Sequence, residues 1–290
     1  MLVIKTLENK LVLESNKTDF MKKEATLFET IQPTVFTETV GAVYYVLPAF
    51  NEEESLPNLL DRITNLNVSH NIKVNVIVVN DGSTDKTSEV AAKVNNNIHL
   101  TVVNHKVNMG LGQAVQTGIK EALSNADEND IIVIMDADDT HDVTLLDEMI
   151  TRIEEGADIV IASRFVEGGD DTSAPPFRRL LSRGASFVFK TLLPLNKIND
   201  FTSGYRAYRV RTLKKASIHY GETLIHEQGF ACMVELLLKL RHWSPKIVEI
   251  PFKLRYDRKL GASKLKLSKT LVQYLKLAIR DRVSPAPRRK

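Results

Sequence analysis

Ile131-Ile-Val-Ile-Met-Asp-Ala-Asp138 is the stretch that decides the fold of this chain. Its five apolar residues form a continuous run, which is typical of a strand buried on both faces of a parallel sheet. Two carboxylates, Asp136 and Asp138, follow directly. Carboxylates at this spacing just past a strand can converge on one hard cation, although aspartate-rich segments are also ordinary turns. The pattern alone therefore leaves a metal site and a turn open.

Similar strand-and-helix units flank this stretch on both sides. Strands are predicted where short apolar runs occur, and a helical pattern follows most of them. Alternation at this spacing predicts an α/β fold, a doubly wound and mainly parallel sheet with helices on both faces. The predicted strands are Val43–Leu47, Val74–Val79, His99–Val103, Ile131–Met135, Asp158–Ala162 and Lys246–Leu254.

Polar clusters follow four of these strands, where ligands bind in open α/β sheets. They are Asn51–Glu54, Asp81–Asp85, Asn108–Gly112 and Asp136–Thr140. Asp81 can accept hydrogen bonds from a base or ribose, whereas the residues after it can also simply cap a helix. Asn108–Gly112 lacks the lysine of a phosphate-binding P-loop. Their shared position predicts one common site.

The second half of the chain differs in charge from the first. Residues 174–290 hold 26 Lys/Arg against 7 Asp/Glu, whereas residues 1–173 hold 13 against 29, within a net charge of +3. Such a split indicates that the second half meets anions, which could be substrate phosphates, anionic lipid or nucleic acid. Nucleic acid is disfavoured because no aromatic stacking cluster accompanies the arginines.

Three regions are expected. Residues 1–40 form a weakly structured extension with one short helix around Phe20–Ile31, residues 41–264 form the main domain, and residues 265–290 form a basic amphipathic helix and tail. That helix, over 265–282, suits either a membrane interface or packing against the domain. A single cysteine, Cys232, and the absence of a secretory signal or a spanning apolar run predict a cytoplasmic protein, peripheral on the cytoplasmic face of a membrane.

The motifs, taken in order, resemble the inverting family 2 glycosyltransferases of the GT-A fold. Later segments are similar to dolichol-phosphate mannose synthases and related polyprenyl-phosphate glycosyltransferases, and the resemblance covers about residues 41–280. The segments that carry it are Pro48-Ala-Phe-Asn-Glu52, Val79-Asn-Asp-Gly-Ser83, Asn108-Met-Gly-Leu-Gly112, Met135-Asp-Ala-Asp138, Ser163-Arg-Phe165, Arg178–Gly184, Asp200–Arg206 and Arg258–Lys264.

The resemblance implies a role for each matching residue. It implies that a divalent cation, Mg²⁺ or Mn²⁺, is bound with the donor diphosphate, and that Asp138, Arg164 and Arg258 are the catalytic residues. The implied contacts are Pro48, Glu52 and Asp81 with the nucleoside, Asp136 and Asp138 with metal and diphosphate, Arg164, Arg178 and Ser182 with the lipid phosphate, and Arg258 and Lys264 with the diphosphate.

One departure from the family pattern follows the Asp-Ala-Asp segment. The mannose synthases usually have Leu-Gln there, and the glutamine joins the metal shell, whereas this chain has Asp139-Thr140. We therefore treat Thr140 as a poor ligand and Asp139 as its substitute.

The expected reaction is transfer of a sugar, mannose in first place, from GDP-mannose or a UDP-sugar to a polyprenyl phosphate, with inversion. The chain would reach its lipid through the 265–282 helix or a membrane-embedded partner subunit. An alternative is a hydroxyl acceptor on a polysaccharide or glycan, which needs a carboxylate base such as Glu227, whereas Glu235 is expected to anchor a loop. A further alternative is a basic protein that only binds nucleic acid or membrane. It does not account for the acidic cluster at the strand ends.

Overall fold

The structure, a computed structural model, describes residues 39–66, 72–93, 98–192, 198–260 and 267–283. Seven strands in this part of the chain form one sheet. They are β1 (Ala42–Ala49), β2 (Lys73–Asn80), β3 (His99–Asn104), β4 (Ile131–Ile134), β5 (Ile159–Ser163), β6 (Arg206–Arg209) and β7 (Ile247–Pro251).

The strand order is β3–β2–β1–β4–β6–β5–β7. β1, β2, β3 and β4 pair in parallel, as do β5 and β7, and only β6 runs antiparallel to its neighbours. This arrangement confirms the predicted mainly parallel sheet. Because β2, β1 and β4 are adjacent, the segments that leave their carboxyl ends emerge side by side.

Helices cover both faces of the sheet, as predicted. One face packs against α1, α2 and α4, and the other against α3 and α5–α8. The helices of the described residues are α1 (Leu56–Thr64), α2 (Thr87–Lys93), α3 (Leu111–Asn125), α4 (Leu146–Glu154), α5 (Pro176–Leu192), α6 (Val210–Tyr220), α7 (Ala231–Leu240) and α8 (Leu267–Val283).

Strand β6 and helix α6 were not predicted. The strand reads Arg-Ala-Tyr-Arg, and arginine is rare in a central strand because its charge must leave water. Both arginines are nevertheless fully buried. Arg206 donates to the carbonyl oxygens of Met233 and Phe201 at 2.7 Å each, and Arg209 donates to those of Ala157 and Ile153. These backbone acceptors replace the water that would otherwise solvate the two guanidinium groups. The strand can therefore be buried although its sequence is not apolar.

Other boundaries differ from the predictions by small amounts. Strand β1 continues through Pro48 to Ala49, past the predicted end, and the helix predicted from Val143 begins with a 3₁₀ turn before α4. The extension before residue 39 and its predicted helix at Phe20–Ile31 lie outside the described residues, as does Lys264.

The C-terminal helix α8 packs on the domain with one face and exposes another. Leu277 and Ala278 are buried, and the Tyr274 ring lies 5.0 Å from that of Phe189 on α5. On its outer side, Val272, Leu275 and Ile279 are 50%, 56% and 65% exposed. None of the helices in the described residues has the length and apolar composition that crossing a bilayer requires.

Helix α3 depends on a close approach to β1 at Gly118. A Cβ atom there would come within 2.3 Å of Val46 Cγ1, whereas one at Gly184, in the middle of α5, would meet nothing within 4 Å. The two glycines thus offer a matched pair of helical substitutions.

We expect Gly118→Ala to lower the free energy of unfolding by about 1–3 kcal/mol, because a well-packed contact is overfilled. Gly184→Ala should raise it by about 0.5–1 kcal/mol, because alanine loses less backbone entropy in a helix. Urea unfolding followed by circular dichroism measures both changes. Equal effects of the two substitutions would contradict the packing described at Gly118.

Candidate active site

The loops after β1, β2 and β4 line a first cavity, here called the strand-end cavity. It combines the predicted nucleoside-side residues with the acidic pair that follows β4. Its lining includes Pro48, Glu52, Asp81, Asn108–Leu111, Asp136–Asp138, Arg178, Gln228–Phe230, Lys259, Thr270 and Gln273. The sheet therefore brings together Pro48, Glu52, Asp81, Asp136 and Asp138, which are separated by up to 90 positions in sequence.

A second cavity, the arginine cavity, lies next to the first. It contains the three residues that the resemblance assigned to the lipid phosphate. Its lining includes Asp136, Asp138, His141, Arg164, Asp171, Arg178, Arg179, Ser182, Thr202, Phe230, Tyr256, Thr270 and Tyr274. Asp136, Asp138, Arg178, Phe230 and Thr270 line both cavities. Two ligands bound side by side would thus meet at the acidic pair.

Asp81 organises the loop at the floor of the strand-end cavity. Its carboxylate accepts the backbone N–H groups of Met109 and Gly110 at 2.9 and 2.8 Å, and its Oδ1 lies 2.7 Å from His105 Nδ1. Gly110 has a φ of +92°, which favours glycine at this close approach. The Asn108–Gly112 loop is therefore held by the carboxylate of the neighbouring strand end.

Asp138 is held by one neutral partner and one charged partner. Thr140 Oγ1 donates to its Oδ1 at 2.7 Å, and the Lys259 ammonium donates to its Oδ2. Burial opposes ionisation of Asp138, but the charge of Lys259 and the hydrogen bonds from Lys259 and Thr140 act together to lower the pKa of this carboxyl below its ordinary value. Thr140, which stands where the family has glutamine, orients the carboxylate.

Asp136 stands beside Asp138 and lines both cavities with it. Burial raises the pKa of Asp136, and the negative charge of Asp138 adds to the rise. Two carboxylates in a desolvated cleft favour a bound cation, because each one destabilises the ionised form of the other. The pair therefore fits a divalent metal ion.

The acidic pair can supply only part of a metal shell. No group of three or more His, Cys, Asp or Glu side chains among the described residues could hold a metal ion by itself. Mg²⁺ and Mn²⁺ sites often combine one or two carboxylates with substrate phosphates and water. Asp136 and Asp138 match that kind of site, in which the bound diphosphate completes the shell.

Asp139 points away from both cavities. It adopts a left-handed backbone with φ 58°, and its Oδ1 lies 2.5 Å from Arg62 Nη1 on α1. It lines neither cavity. Successive side chains after β4 point in different directions, so Asp139 lies apart from Asp136 and Asp138. This geometry does not support Asp139 as the replacement for the family's glutamine in the metal shell.

Arg164 and Ser182 meet through Thr202 in the arginine cavity. Arg164 Nε and Nη2 donate to the two carboxylate oxygens of Asp200 at 2.8 Å each, and Nη2 also donates to Thr202 Oγ1 at 2.8 Å. Ser182 Oγ lies 3.1 Å from the same Thr202 oxygen. Because Asp200 is fully buried, this bidentate pair fixes the guanidinium plane.

Arg178 is oriented by an aromatic neighbour from another segment. Its Nη1 donates to the Tyr256 hydroxyl at 2.9 Å, and its guanidinium carbon lies 5.2 Å from the Tyr256 ring centroid. This contact joins the start of α5 to the basic loop after β7. Arg178 therefore faces both cavities from a defined position.

The basic loop after β7 places Lys259, rather than Arg258, beside the acidic pair, so the contact between Arg258 and the diphosphate stays a prediction. Arg258 lines neither cavity, whereas the adjacent Lys259 lines the strand-end cavity. The sequence marks the whole segment as basic, but adjacent residues point in different directions. Only the turn at Tyr256–Arg258 decides which of them faces the carboxylates.

Helix α8 also contributes residues that the sequence analysis assigned elsewhere. Thr270 lines both cavities, Gln273 lines the strand-end cavity and Tyr274 lines the arginine cavity. The available signal was their i, i+3, i+4 spacing, which puts them on one helix face. The basic residues on the same helix favoured a membrane interface instead.

His141, the last residue of the segment after β4, lines the arginine cavity and was also missed. It stacks on Tyr205 with ring centroids 5.1 Å apart, and its Nδ1 is buried with no hydrogen-bond partner among the residues that the structure describes. Burial lowers the pKa of His141, which favours the neutral ring at neutral pH.

We expect Asp200→Asn to lower the free energy of unfolding by about 3–5 kcal/mol at pH 7, because Arg164 loses the charge that compensates its burial. Burial disfavours the Asp200 carboxylate, but Arg164 outweighs it and holds the pKa of Asp200 below its ordinary value. This stabilisation is present above the unfolded pKa of about 4 and is lost as the pH falls through the folded pKa.

Urea unfolding from pH 7 down to pH 3 measures the difference between the wild type and Asp200→Asn. That difference should shrink as the pH falls below about 4. Asp257→Asn, which removes an exposed carboxylate paired with Arg255, is the control and should change little. A difference independent of pH would contradict the ion pair as its source.

Comparison with known proteins identifies the family of this chain. The model of the family "Glycosyl transferase family 2" matches residues 44–216. The chain is 34% identical over 235 residues to a dolichol-phosphate mannosyltransferase of Pyrococcus furiosus, covering 81% of this chain and 62% of that protein. It is 30% identical over 266 residues to a polyprenol monophosphomannose synthase of Mycolicibacterium smegmatis, covering 89% and 92%.

A solved structure of glucosyl-3-phosphoglycerate synthase from Mycobacterium tuberculosis, in complex with Mn²⁺, UDP and glucosyl-3-phosphoglycerate, superposes with a TM-score of 0.59. The superposition covers 83% of this chain and 80% of that structure's chain. At 20% sequence identity, it shows a likeness of fold. The spacing of the strand-end motifs, the mainly parallel sheet and the family match agree. The chain therefore belongs to glycosyl transferase family 2, as the motifs in its sequence predicted.

Proposed function

We propose that this glycosyltransferase moves a sugar, mannose in first place, from a nucleotide-sugar donor to a polyprenyl phosphate, with inversion and with Mg²⁺ or Mn²⁺. The observation that carries the proposal is the pair of adjacent cavities with a shared acidic wall. One cavity suits a nucleoside diphosphate, and the other, lined by Arg164, Arg178 and Arg179, suits a phosphate. The names of the two relatives support the same acceptor class.

In the proposed reaction, an oxygen of the acceptor phosphate attacks the anomeric carbon from the side opposite the diphosphate. The bond from that carbon to the diphosphate breaks, and the nucleoside diphosphate leaves. A phosphate monoester has its second pKa near ~6, so the attacking dianion already exists at neutral pH and needs no general base. Guanidinium groups position the acceptor phosphate and offset its charge.

The leaving group accounts for the other side of the site. A bound metal ion would neutralise part of the charge that develops on the diphosphate, and Asp136 and Asp138 would hold it. Glu52 and Asp81 line the cavity at the strand ends next to this pair. These carboxylates come from the first half of the chain, whereas Arg178 and Arg179 come from the second. A site built in this way accounts for the acidic first half and the basic second half.

The hydroxyl-acceptor alternative needs a carboxylate base near the acceptor. Glu227 lines neither cavity and lies 3.4 Å from Arg280 on α8. Glu235 accepts the backbone N–H groups of His226 and Glu227 at 2.8 Å each, which agrees with a loop-anchoring role. Asp200 is engaged by Arg164, and Asp171, which lines the arginine cavity, is engaged by Arg179 and Arg183. The geometry therefore favours an acceptor that needs no base.

A membrane surface is the proposed route to the lipid acceptor. Helix α5 exposes Phe177, Leu180 and Phe187 to 60%, 69% and 70%, and the neighbouring α8 exposes Leu275 and Ile279. Exposed basic residues, among them Arg183, Lys190 and Lys276, accompany these apolar side chains. Helices α5 and α8 also line the arginine cavity, so docking would bring the lipid phosphate to its entrance. We assign this docking to the cytoplasmic face, where a membrane-embedded partner could assist it.

A donor panel tests the proposed reaction. GDP-mannose, UDP-glucose and UDP-N-acetylhexosamines are incubated with a short polyprenyl phosphate and Mg²⁺ or Mn²⁺, and the glycolipid is quantified by mass spectrometry. We expect turnover with one donor, dependent on the metal and abolished by chelation. Failure with every donor and metal would contradict the proposed reaction.

In the same assay, Asp138→Asn should reduce the rate by about 10²–10³-fold, since it weakens the binding of the metal ion that would neutralise charge on the leaving diphosphate. Glu227→Gln should retain nearly full activity, because no general base is needed. Near-complete loss in Glu227→Gln would instead favour the hydroxyl-acceptor reaction.

Flotation with vesicles that contain anionic lipid tests the membrane surface. We expect Phe187→Glu and Leu275→Glu together to reduce vesicle binding strongly, because a carboxylate would enter the apolar boundary. Ile218→Glu is the matched control, since Ile218 is 79% exposed on α6 and lies outside this surface. Equal binding by all three proteins would contradict the docking surface.

A further inference from the structure

Lys259 lines the strand-end cavity next to the acidic pair. Its ammonium pairs with Asp138, and only 10% of the Lys259 side chain and 12% of the Asp138 side chain are exposed. Glu52 and Asp136 line the same cavity as Lys259 and Asp138. One ammonium group thus lies among three carboxylates of a cleft that is otherwise suited to a divalent ion.

The backbone around Lys259 brings this lysine to the acidic pair. Arg255 N–H donates to the Thr140 carbonyl oxygen at 3.1 Å, and Lys259 N–H donates to the Tyr256 carbonyl oxygen at 3.2 Å, which closes a short turn. The Ser173 hydroxyl also donates to the carbonyl oxygen of Leu254. The segment is therefore anchored directly over the loop that follows β4, and Lys259 is its only cation among residues 255–259 that lines the strand-end cavity.

Both oxygens of Asp138 are engaged in this arrangement. Oδ1 accepts from Thr140, and Oδ2 accepts from Lys259. A metal ion that binds Asp138 through Oδ2 would have to share this oxygen with the ammonium, since a carboxylate oxygen carries two lone pairs. Two positive groups so close together in a partly desolvated cleft would also repel each other. The ammonium and the metal ion therefore compete for this oxygen.

We propose that Lys259 is a resident counter-cation that competes with the divalent metal ion for Asp138, so that metal binding releases Lys259 and the segment that carries it. The inference rests on the proposed metal-dependent transfer. It gives the basic segment two states: one held over the acidic pair by Lys259, and one in which the ammonium is available to another anion of the cleft. The donor diphosphate is the anion expected there.

The first test measures Mn²⁺ binding without any substrate, by the loss of the electron paramagnetic resonance signal of free Mn²⁺. We expect Lys259→Met to bind Mn²⁺ about tenfold more tightly than the wild type, the factor that corresponds to removing one competing charge-assisted hydrogen bond. Lys253→Met is the matched control, because Lys253 is an exposed lysine of the same region that lines neither cavity. It should bind Mn²⁺ as the wild type does.

The second test separates competition from a general change in charge. Trypsin cleaves after lysine, and the rate of cleavage between Lys259 and Leu260 is measured by mass spectrometry with and without Mg²⁺. We expect Mg²⁺ to accelerate this cleavage at least severalfold in the wild type, since the buried lysine is released. Cleavage after Lys253 should not change.

The outcomes distinguish the inference from the proposed function. Equal Mn²⁺ affinity in the wild type and Lys259→Met, or cleavage after Lys259 that is insensitive to Mg²⁺, would overturn the competition while leaving metal-dependent transfer intact. Absence of Mn²⁺ binding in every protein would overturn the competition, and absence of binding also in the presence of GDP and of UDP would overturn metal-dependent transfer as well. Lys259→Gln serves as a second variant if Lys259→Met does not fold, and the same tightening is expected of it.

Discussion

The pairing of two carboxylates at the end of a buried strand is the constraint on which the rest of the site depends. Strand β4 is buried along its whole length, so Asp136 and Asp138 emerge at the edge of an apolar core, where water can solvate them only in part. Ionised carboxylates in such a place need compensating positive charge. The structure provides it from the second half of the chain, through Lys259 and the neighbouring Arg178.

Positive charge is used in two different ways in this fold. Arg206 and Arg209 are fully buried and donate to backbone carbonyl oxygens, so they stabilise the sheet. Arg164 and Arg178 line a cavity but are each fixed by a partner, Asp200 in one case and Tyr256 in the other. Groups fixed in this manner can meet a phosphate with little reorganisation, which is the condition for effective electrostatic stabilisation. The basic surplus of residues 174–290 is thus divided between structure and ligand binding.

Periodicity and composition predicted most of the sheet, because a buried parallel strand must be apolar throughout and a covering helix must carry an apolar face. The same reasoning failed for β6, where two buried arginines conceal a central strand. It predicted the grouping of Glu52, Asp81, Asp136 and Asp138, because the ends of adjacent parallel strands lie at one edge of a sheet. It could not predict that Asp139 turns to Arg62, since this depends on a left-handed backbone at a single residue.

The sequence by itself determined the fold class, the family and the acidic side of the site, since each follows from local patterns of a few residues. The tertiary structure alone decided which basic residues complete that site. Lys259 reaches Asp138 across 121 positions, and the choice between Lys259 and Arg258 depends on one turn of backbone. It also decided that α8 contributes Thr270, Gln273 and Tyr274 to the cavities while it exposes an apolar surface. Side-chain direction at such positions is set by long-range packing, which no local pattern encodes.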